Sequence, residues 1–330
     1  MNAMVYTQYG TPDVLQLQEV AQPTPKDDEV LIQVHAAAHN SWDLDLLRGD
    51  WINRLIYGGW RQPKLPILGC DVAGVVESVG RTVTRWRPGD AVFGDISSCG
   101  WGALAAFVCA RESALTLKPA GMTFAQAAAI PQAGVLALQS LCDLRPIQPG
   151  QTVLINGAGG GVGTFAIQLA KAFGAEVTGV DSTPKLERMR SLGADHVLDY
   201  TQTDFTRTGQ SYDRIVDVMA RRTLTDYQRA LQPGGLFVMV GGSMSLVLQT
   251  VLLGSWLAKR EQKQLAVLIH QPNKGMASLL DLFAAGKVVP VIDHCYPLAE
   301  TAAAFQRLRA GDAYGKVVII IAGDSKQSGF

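Results

Sequence analysis

The stretch VLINGAGGGVGTFAIQLAKAFGAEVTGVD, residues 153–181, decides the fold. An apolar run with strand character enters a glycine-dense turn. The turn passes directly into a segment with Val162, Phe165, Ala166, Leu169, Ala170 and Phe173 on one helical face. A second apolar run, EVTGVD, follows and ends in an acid. Strand, glycine turn, helix and strand in this order predict a parallel sheet wound by helices, with a dinucleotide at the turn. The register is Ala158-x-Gly160-x-x-Gly163, with alanine at the first glycine position. Gly160 lets backbone approach a pyrophosphate, and Gly163 permits close helix–strand packing. Asn156 closes the strand, while Gly161 and Val162 open the helix, whose free N–H groups and positive dipole end suit phosphate.

Asp181 stands 18 residues past Gly163, at the end of the next strand. A carboxylate there accepts hydrogen bonds from an adenine ribose and repels a 2′-phosphate, a slight lean to NAD(H) over NADP(H). Ser182, Lys185 and Arg188 point the other way if they contact phosphate, or form a solvated helix face. Further on, VMVGGS ends a strand with Gly241-Gly242, where backbone would pass close to the nicotinamide half or simply start a loop.

Around this segment the chain alternates. HVLDY, YDRIVDV and LFVMVGG read as further strands, with PKLERMRSLGA and TLTDYQRALQPGG as helices between them. The first 120 residues instead read as short β-rich runs punctuated by Gly, Pro and Asp, with no helix of length before TFAQAAAIPQAGVLALQSL. The Val/Ile-rich strand in GKVVIIIAG most simply returns to that first sheet. The domain expectation is therefore 1–122, completed by 291–330, and 123–290.

Bulk properties exclude several function classes. Lys+Arg and Asp+Glu both number 29, so no basic excess points to nucleic acid. The cysteines at 70, 99, 109, 142 and 295 are odd in number and lack CxxC spacing, which suits a reducing, cytoplasmic setting. The N-terminus has no basic region followed by an apolar core. Residues 244–260 are strongly apolar but too short to span a bilayer. They predict a buried helix at a subunit contact or pocket wall. The rival is peripheral membrane docking aided by Lys259, Arg260 and Lys263.

Taken together, VLIQVHAAAHNSWDLDLLRGD (30–50), LGCDVAGVVESVG (68–80), RPGDAVFG (87–94), the fingerprint and GKVVI (315–319) resemble the medium-chain dehydrogenase/reductase superfamily, over nearly the full length. SLGADHVLDYTQTDF and QPGGLF are similar to segments of its zinc-independent quinone oxidoreductase and alkenal/enone reductase branch. The resemblance implies an α/β architecture: a GroES-like, partly open β-barrel domain formed by both chain ends, plus a Rossmann doubly wound sheet. It also implies an interdomain active-site cleft and a homodimer.

The branch carries Asn-x-x-Asp, here Asn40-Ser41-Trp42-Asp43. The resemblance implies that Asn40 faces nicotinamide and substrate and that Asp43 helps fix the loop. His39 is a candidate proton donor, or a structural histidine. Residues 48–66 read as a long substrate lid with Trp51, Tyr57 and Trp60 for flat ligands, or as an interface or self-packed loop. In QAGVLAL, Gln132 is polar where the branch is apolar, a pocket candidate, and Leu136 replaces a hydroxylic residue.

Zinc alcohol dehydrogenases of the superfamily carry Gly-His-Glu where this chain has Gly69-Cys70-Asp71. They carry a cysteine ligand near His39. Catalytic zinc needs three protein ligands plus water, and His39 with Cys70 supplies two. Asp71 is the one obvious third, and adjacent Cys and Asp rarely point at one ion. No metal is expected, and Cys70 reads as a small buried hydrophobe. The resulting expectation is NAD(P)H-dependent, metal-free hydride transfer to a quinone or α,β-unsaturated carbonyl. Its rivals are a zinc-dependent alcohol dehydrogenase and a non-catalytic nucleotide-binding or membrane-associated protein.

Overall fold

The structure, a computed structural model, describes residues 1–57 and 59–322, with the side chains of residues 52 and 255–261 outside the description. The chain runs β1 (Asn2–Val5), β2 (Gln16–Glu19), β3 (Glu29–Ala38), α1 (Ser41–Arg48), α2 (Trp51–Tyr57), β4 (Asp71–Val79), β5 (Ala91–Asp95), β6 (Phe107–Arg111), β7 (Thr116–Leu117) and α3 (Phe124–Ala129). It continues through α4 (Pro131–Cys142), β8 (Thr152–Asn156), α5 (Gly161–Ala172), β9 (Glu176–Asp181), α6 (Leu186–Ser191), β10 (His196–Asp199), β11 (Tyr212–Asp217), α7 (Leu224–Ala230) and β12 (Leu231–Met239). The last elements are α8 (Met244–Glu261), β13 (Gln264–Val267), α9 (Met276–Ala284), β14 (Ile292–Pro297), α10 (Thr301–Ala310) and β15 (Lys316–Ile320). Two compact units result. One holds Met1–Gln132, Pro272–Met276 and Ile292–Phe330, the other Ala133–Gln271 and Ala277–Val291.

In the first unit, seven strands form a sheet in the order β14-β15-β3-β4-β5-β7, with β6 also on β3. β3 is the axis of this arrangement. Residues 29–33 pair with β6, residues 36–38 pair with β15, and β4 runs along nearly its whole length. Ala36, Ala37 and Ala38 are fully buried, and their small side chains suit a place where three strands crowd together. Val30, Ile32, Leu47, Val72, Phe305 and Val317 share one core. The Val/Ile-rich β15 thus joins the first unit's sheet, as its composition predicts.

In the second unit all six strands are parallel, in the order β10-β9-β8-β11-β12-β13. The chain starts at β8, winds outward through β9 and β10, then returns to β11 and winds the other way. This is the expected doubly wound sheet. The strand order reverses between β8 and β11, where ligands bind at the carboxyl ends of such sheets.

Three local expectations need correction. The first 120 residues hold no long helix, as expected, but two short ones, α1 and α2, interrupt the strands. They are too short for periodicity to reveal; α1 is defined by its ends, with Asp43 bonded to the Asn40 N–H and Gly49 left-handed at the C-cap. Residues 51–57, inside the stretch read as a loop, are therefore helical. The segment beginning at Thr123 is broken in two at Pro131, which starts α4 because proline lacks the N–H that α3 would need. TLTDYQRALQPGG is helical only to Ala230; its remainder opens β12, with a register shift against β11. β13, which no sequence signal announced, completes the sheet's edge.

The apolar stretch at 244–260 is a helix, and no described helix is long and apolar enough to cross a membrane. It is not simply buried: Leu246 and Thr250 are inside, whereas Leu248, Val251 and Leu252 are exposed. Of the basic residues assigned to membrane docking, the side chains of Lys259 and Arg260 lie outside the described residues. Lys263 donates to the Gln228 carbonyl at 2.8 Å.

Candidate functional site

In the second unit, the candidate cofactor residues gather at the carboxyl ends of β8, β9, β11 and β12. Gly157 takes a left-handed conformation (φ 82°), and the N–H groups of Gly157 and Ala158 bond to the Val180 carbonyl at 3.0 and 3.1 Å. The turn is thereby fixed to the end of β9. The two fingerprint glycines serve different purposes. A Cβ on Gly163 would stand 2.2 Å from the Gly157 oxygen and 2.5 Å from the Ala158 Cα, so α5 can approach its strand only without one. A Cβ on Gly160 would meet nothing closer than the Gly157 oxygen at 3.4 Å, an ordinary contact. Packing therefore explains Gly163 and leaves Gly160 open to a ligand. Gly161, Val162 and Gly163 carry first-turn N–H groups that an α-helix leaves without an intrahelical acceptor.

The other candidates are partly committed within the protein. Asn156 donates through Nδ2 to Asp217 Oδ1 at 2.8 Å, and Tyr227 donates to Asp217 Oδ2 at 2.7 Å. Burial raises the Asp217 carboxyl above the ordinary carboxylate range. Asp181 accepts the Gly159 N–H on Oδ2 (2.9 Å) and the Ser182 N–H on Oδ1 (2.8 Å). The Lys185 ammonium lies 3.4 Å from the same Oδ1. Asp181 and Lys185, read from sequence as opposing signals, are thus an ion pair, and each is less than a tenth exposed. Arg188 is exposed. Gly241 and Gly242 have a packing reason of their own. Cβ atoms there would lie 2.5 Å from the Val218 oxygen and 2.4 Å from Met239 Cε.

The first unit holds a buried polar cluster where three strand ends meet. Asn40 follows β3, Asp71 opens β4 opposite Ala38, and Lys316 opens β15. Lys316 donates to the His39 carbonyl (2.9 Å), to Asn40 Oδ1 (2.6 Å) and to Asp71 Oδ2 (3.2 Å), so its three ammonium hydrogens are used. Asn40 Nδ2 donates to Asp71 Oδ2 (3.0 Å) and to Cys70 Sγ (3.5 Å). Gln132 closes the ring with its N–H on Asp71 Oδ1 (2.9 Å) and Nε2 on Cys70 Sγ (3.4 Å). Burial lifts the Asp71 carboxyl to about 6, opposed by Lys316, and pushes the Cys70 thiol well up.

Asp43 is fully buried and accepts the N–H groups of Asn40 (2.8 Å) and Gly69 (2.9 Å). It ties the segment carrying Asn40 to the segment carrying Cys70. His39 is 2% exposed, packs edge-on against Phe305 and lies 4.0 Å from Asp43, beyond hydrogen-bond reach. Burial lowers its pKa, so the ring is neutral.

The aromatic candidates do not surround one cavity. Tyr57 packs on Trp42 and Trp101, while Trp51 and Trp60 are exposed. The space between Tyr57, Tyr6 and Tyr9 is about 10 Å³, room for a single water at most. Arg54 donates to the Gly49 and Trp60 carbonyls and stacks on Tyr9, which donates to the Gly59 carbonyl at 2.8 Å. These bonds tie the segment to itself and to Tyr9.

Sequence reasoning missed Lys316 and Asp95. Lys316 lies inside the GKVVI block, which was read only for its Val/Ile-rich strand; its place in that block was its one signal. Asp95, which ends β5 opposite Asp71, carries no motif. Among the described residues, Cys70, Asp71 and Asp95 place potential ligand atoms within 4.8 Å of one another. His39 is not in that group.

Comparisons with known proteins accord with both halves. The family described as "Alcohol dehydrogenase GroES-like domain" matches residues 26–140, and that described as "Zinc-binding dehydrogenase" matches 192–319. A 2-methylene-furan-3-one reductase from Solanum lycopersicum is 34% identical over 97% of this chain and 79% of its own. The structure of the quinone oxidoreductase from Coxiella burnetii superposes with a TM-score of 0.87 at 28% identity, over 98% of this chain and 99% of that one. The Escherichia coli quinone oxidoreductase complexed with NADPH gives 0.85 at 25% identity, over 97% and 100%.

Proposed function

This chain belongs to the medium-chain dehydrogenase/reductase superfamily, in its quinone oxidoreductase-like branch, and from that membership we propose an NAD(P)H-dependent, metal-free oxidoreductase. Its hydride acceptor is a quinone or an α,β-unsaturated carbonyl. The observation that carries the cofactor half is Gly160: it is glycine where the protein's own packing leaves room for a side chain, beside free first-turn N–H groups. When bound, the nicotinamide supplies the hydride. The reductase named above, from Solanum lycopersicum, and the two quinone oxidoreductases support the acceptor class.

The residues of the chain provide position and electrostatics. The turn at 157–163 would hold the pyrophosphate. Asn40 orients the acceptor, its amide fixed by Lys316 and Asp71. Because it is buried, His39 is left out of proton transfer, and water protonates the enolate or hydroquinone oxygen. For the ribose end, Lys185 neutralises Asp181, which offsets the repulsion of a 2′-phosphate, so NADPH is accepted as well as NADH. Two copies associating as a homodimer in the cytoplasm complete the reading, and the exposed apolar side chains of α8 support a subunit contact.

The zinc-dependent alternative meets donors that do not fit. The amides of Asn40 and Gln132 already donate to the Cys70 sulfur, and a lysine ammonium already contacts Asp71. The test is titration with NADH and NADPH, then turnover with a panel of quinones, enals and enones. Asn40→Ala should lower kcat/KM for the acceptor about tenfold or more, roughly 1.4 kcal/mol, at unchanged NADPH affinity. Lys185→Ala should weaken NADPH and spare NADH. Tight NAD(P)H binding with no acceptor reduced would overturn the proposal.

A further inference from the structure

We propose that the Lys316 ammonium is a built-in cation standing in the charge position of a metal ion, so that Cys70, Asp71 and Asp95 accept a divalent cation only when Lys316 is removed. The three donor atoms have the mutual spacing of a ligand set and are all buried. Buried carboxylates require a compensating positive charge. In this cluster Lys316 provides it at 3.2 Å from Asp71, and its two remaining hydrogens are held by the His39 carbonyl and Asn40 Oδ1. A divalent ion entering beside Asp71 would face that fixed charge at contact distance.

The same lysine sets what lies between the donors. Because it takes Asn40 Oδ1, the Asn40 amide must turn its Nδ2 the other way. There it bridges Asp71 Oδ2 at 3.0 Å and Cys70 Sγ at 3.5 Å. An ion bound by Cys70 and Asp71 would need the place of that amide. Gln132 Nε2 adds a second donor on the sulfur, and donors on Sγ are compatible with a thiol acting as acceptor. Lys316, the cation of this cluster, stands on β15, 246 positions beyond Cys70 in the sequence.

The test reads metal, not turnover, so its outcome is separate from the fate of the enone or quinone assignment. Wild-type protein, Lys316→Met, Lys316→Arg and Lys316→Met/Cys70→Ala are each equilibrated with Co(II) and followed by absorption and metal content. Wild type and Lys316→Arg should hold no stoichiometric ion. Lys316→Met should take up one, with a thiolate-to-cobalt band that the added Cys70→Ala change abolishes. Folding of Lys316→Met only in the presence of Co(II) would support the inference equally. Stoichiometric metal in wild type, lost in Cys70→Ala, would overturn it, and that arm needs no lysine variant to fold. A folded Lys316→Met with no metal uptake would also overturn it.

Discussion

Replacing Gly163 and Gly160 by alanine, one at a time, separates packing from ligand approach in the fingerprint turn. At Gly163 the new Cβ meets backbone, 2.2 Å from the Gly157 oxygen and 2.6 Å from the Ala158 carbonyl carbon. Neither atom can rotate away, so α5 must back off its strand. Overpacking of this kind costs about 1–3 kcal/mol, and rigid backbone puts it at the upper end. Alanine's better helix propensity returns up to about 1 kcal/mol. The net loss is about 2 kcal/mol, or a fall of about 4–8 °C in the melting temperature of a domain this size. At Gly160 the nearest atom is 3.4 Å away and the backbone is extended (φ −85°, ψ −179°), so only N-cap preference is lost, about 0.5–1 kcal/mol. Its effect belongs to the ligand. Thermal melting and NADPH fluorescence titration on both variants decide the matter. Gly163→Ala should melt early, whereas Gly160→Ala should melt nearly normally and bind NADPH at least about tenfold more weakly. The reasoning is refuted if Gly160→Ala binds as wild type does, or if Gly163→Ala keeps its melting temperature.

Asp43→Ala leaves the buried N–H groups of Asn40 and Gly69 without their acceptor, at about 1–3 kcal/mol for each. Denaturant unfolding should show a loss of that size, with Asp43→Asn recovering part of it. Arg214 is 1% exposed and donates to the carbonyls of Ser140, Leu141 and Arg145, which closes the end of α4. Arg214→Met should cost about 1–3 kcal/mol through unsatisfied carbonyls, and Arg214→Lys should restore little, because one ammonium cannot copy the planar fork. Asp71 has its carboxyl at about 6 in the folded chain against 3.8 ordinarily. Between about pH 4 and 6 the folded state therefore holds a proton that the unfolded state has released, and unfolding free energy falls as pH rises through that window. Asp71→Asn should lack this slope in melting temperature against pH; an identical slope in the variant would show that Asp71 is not its source.

The nucleotide half was legible because its signals are local. Gly160 and Gly163, the apolar stripe of α5 and the acid at Asp181 act within one strand–turn–helix–strand unit, where turn chemistry and periodicity are properties of neighbouring residues. Glycine, however, has more than one use. Gly163 and Gly241–Gly242 are required by atoms passing close to them, which no spacing reveals, whereas the space around Gly160 leaves it available to the proposed ligand. Asp181 shows a second limit: its competitor Lys185 was visible four residues away, but their pairing was not.

From the sequence came two sheets of different kinds and the return of the last strand to the first unit, and its resemblance to the quinone oxidoreductase branch singled out the Asn40–Asp43 pair. Only the tertiary structure decided what surrounds Asn40. Lys316 reaches it across 276 positions, and Asp71 across 245 positions from Lys316. They meet because β3, β4 and β15 bring their ends together in one sheet. A buried charge declares itself only when its partner is in place, since the partner's proximity, not its residue type, makes burial affordable. In this protein that partner is a lysine, sitting where the sequence prompted a search for a metal.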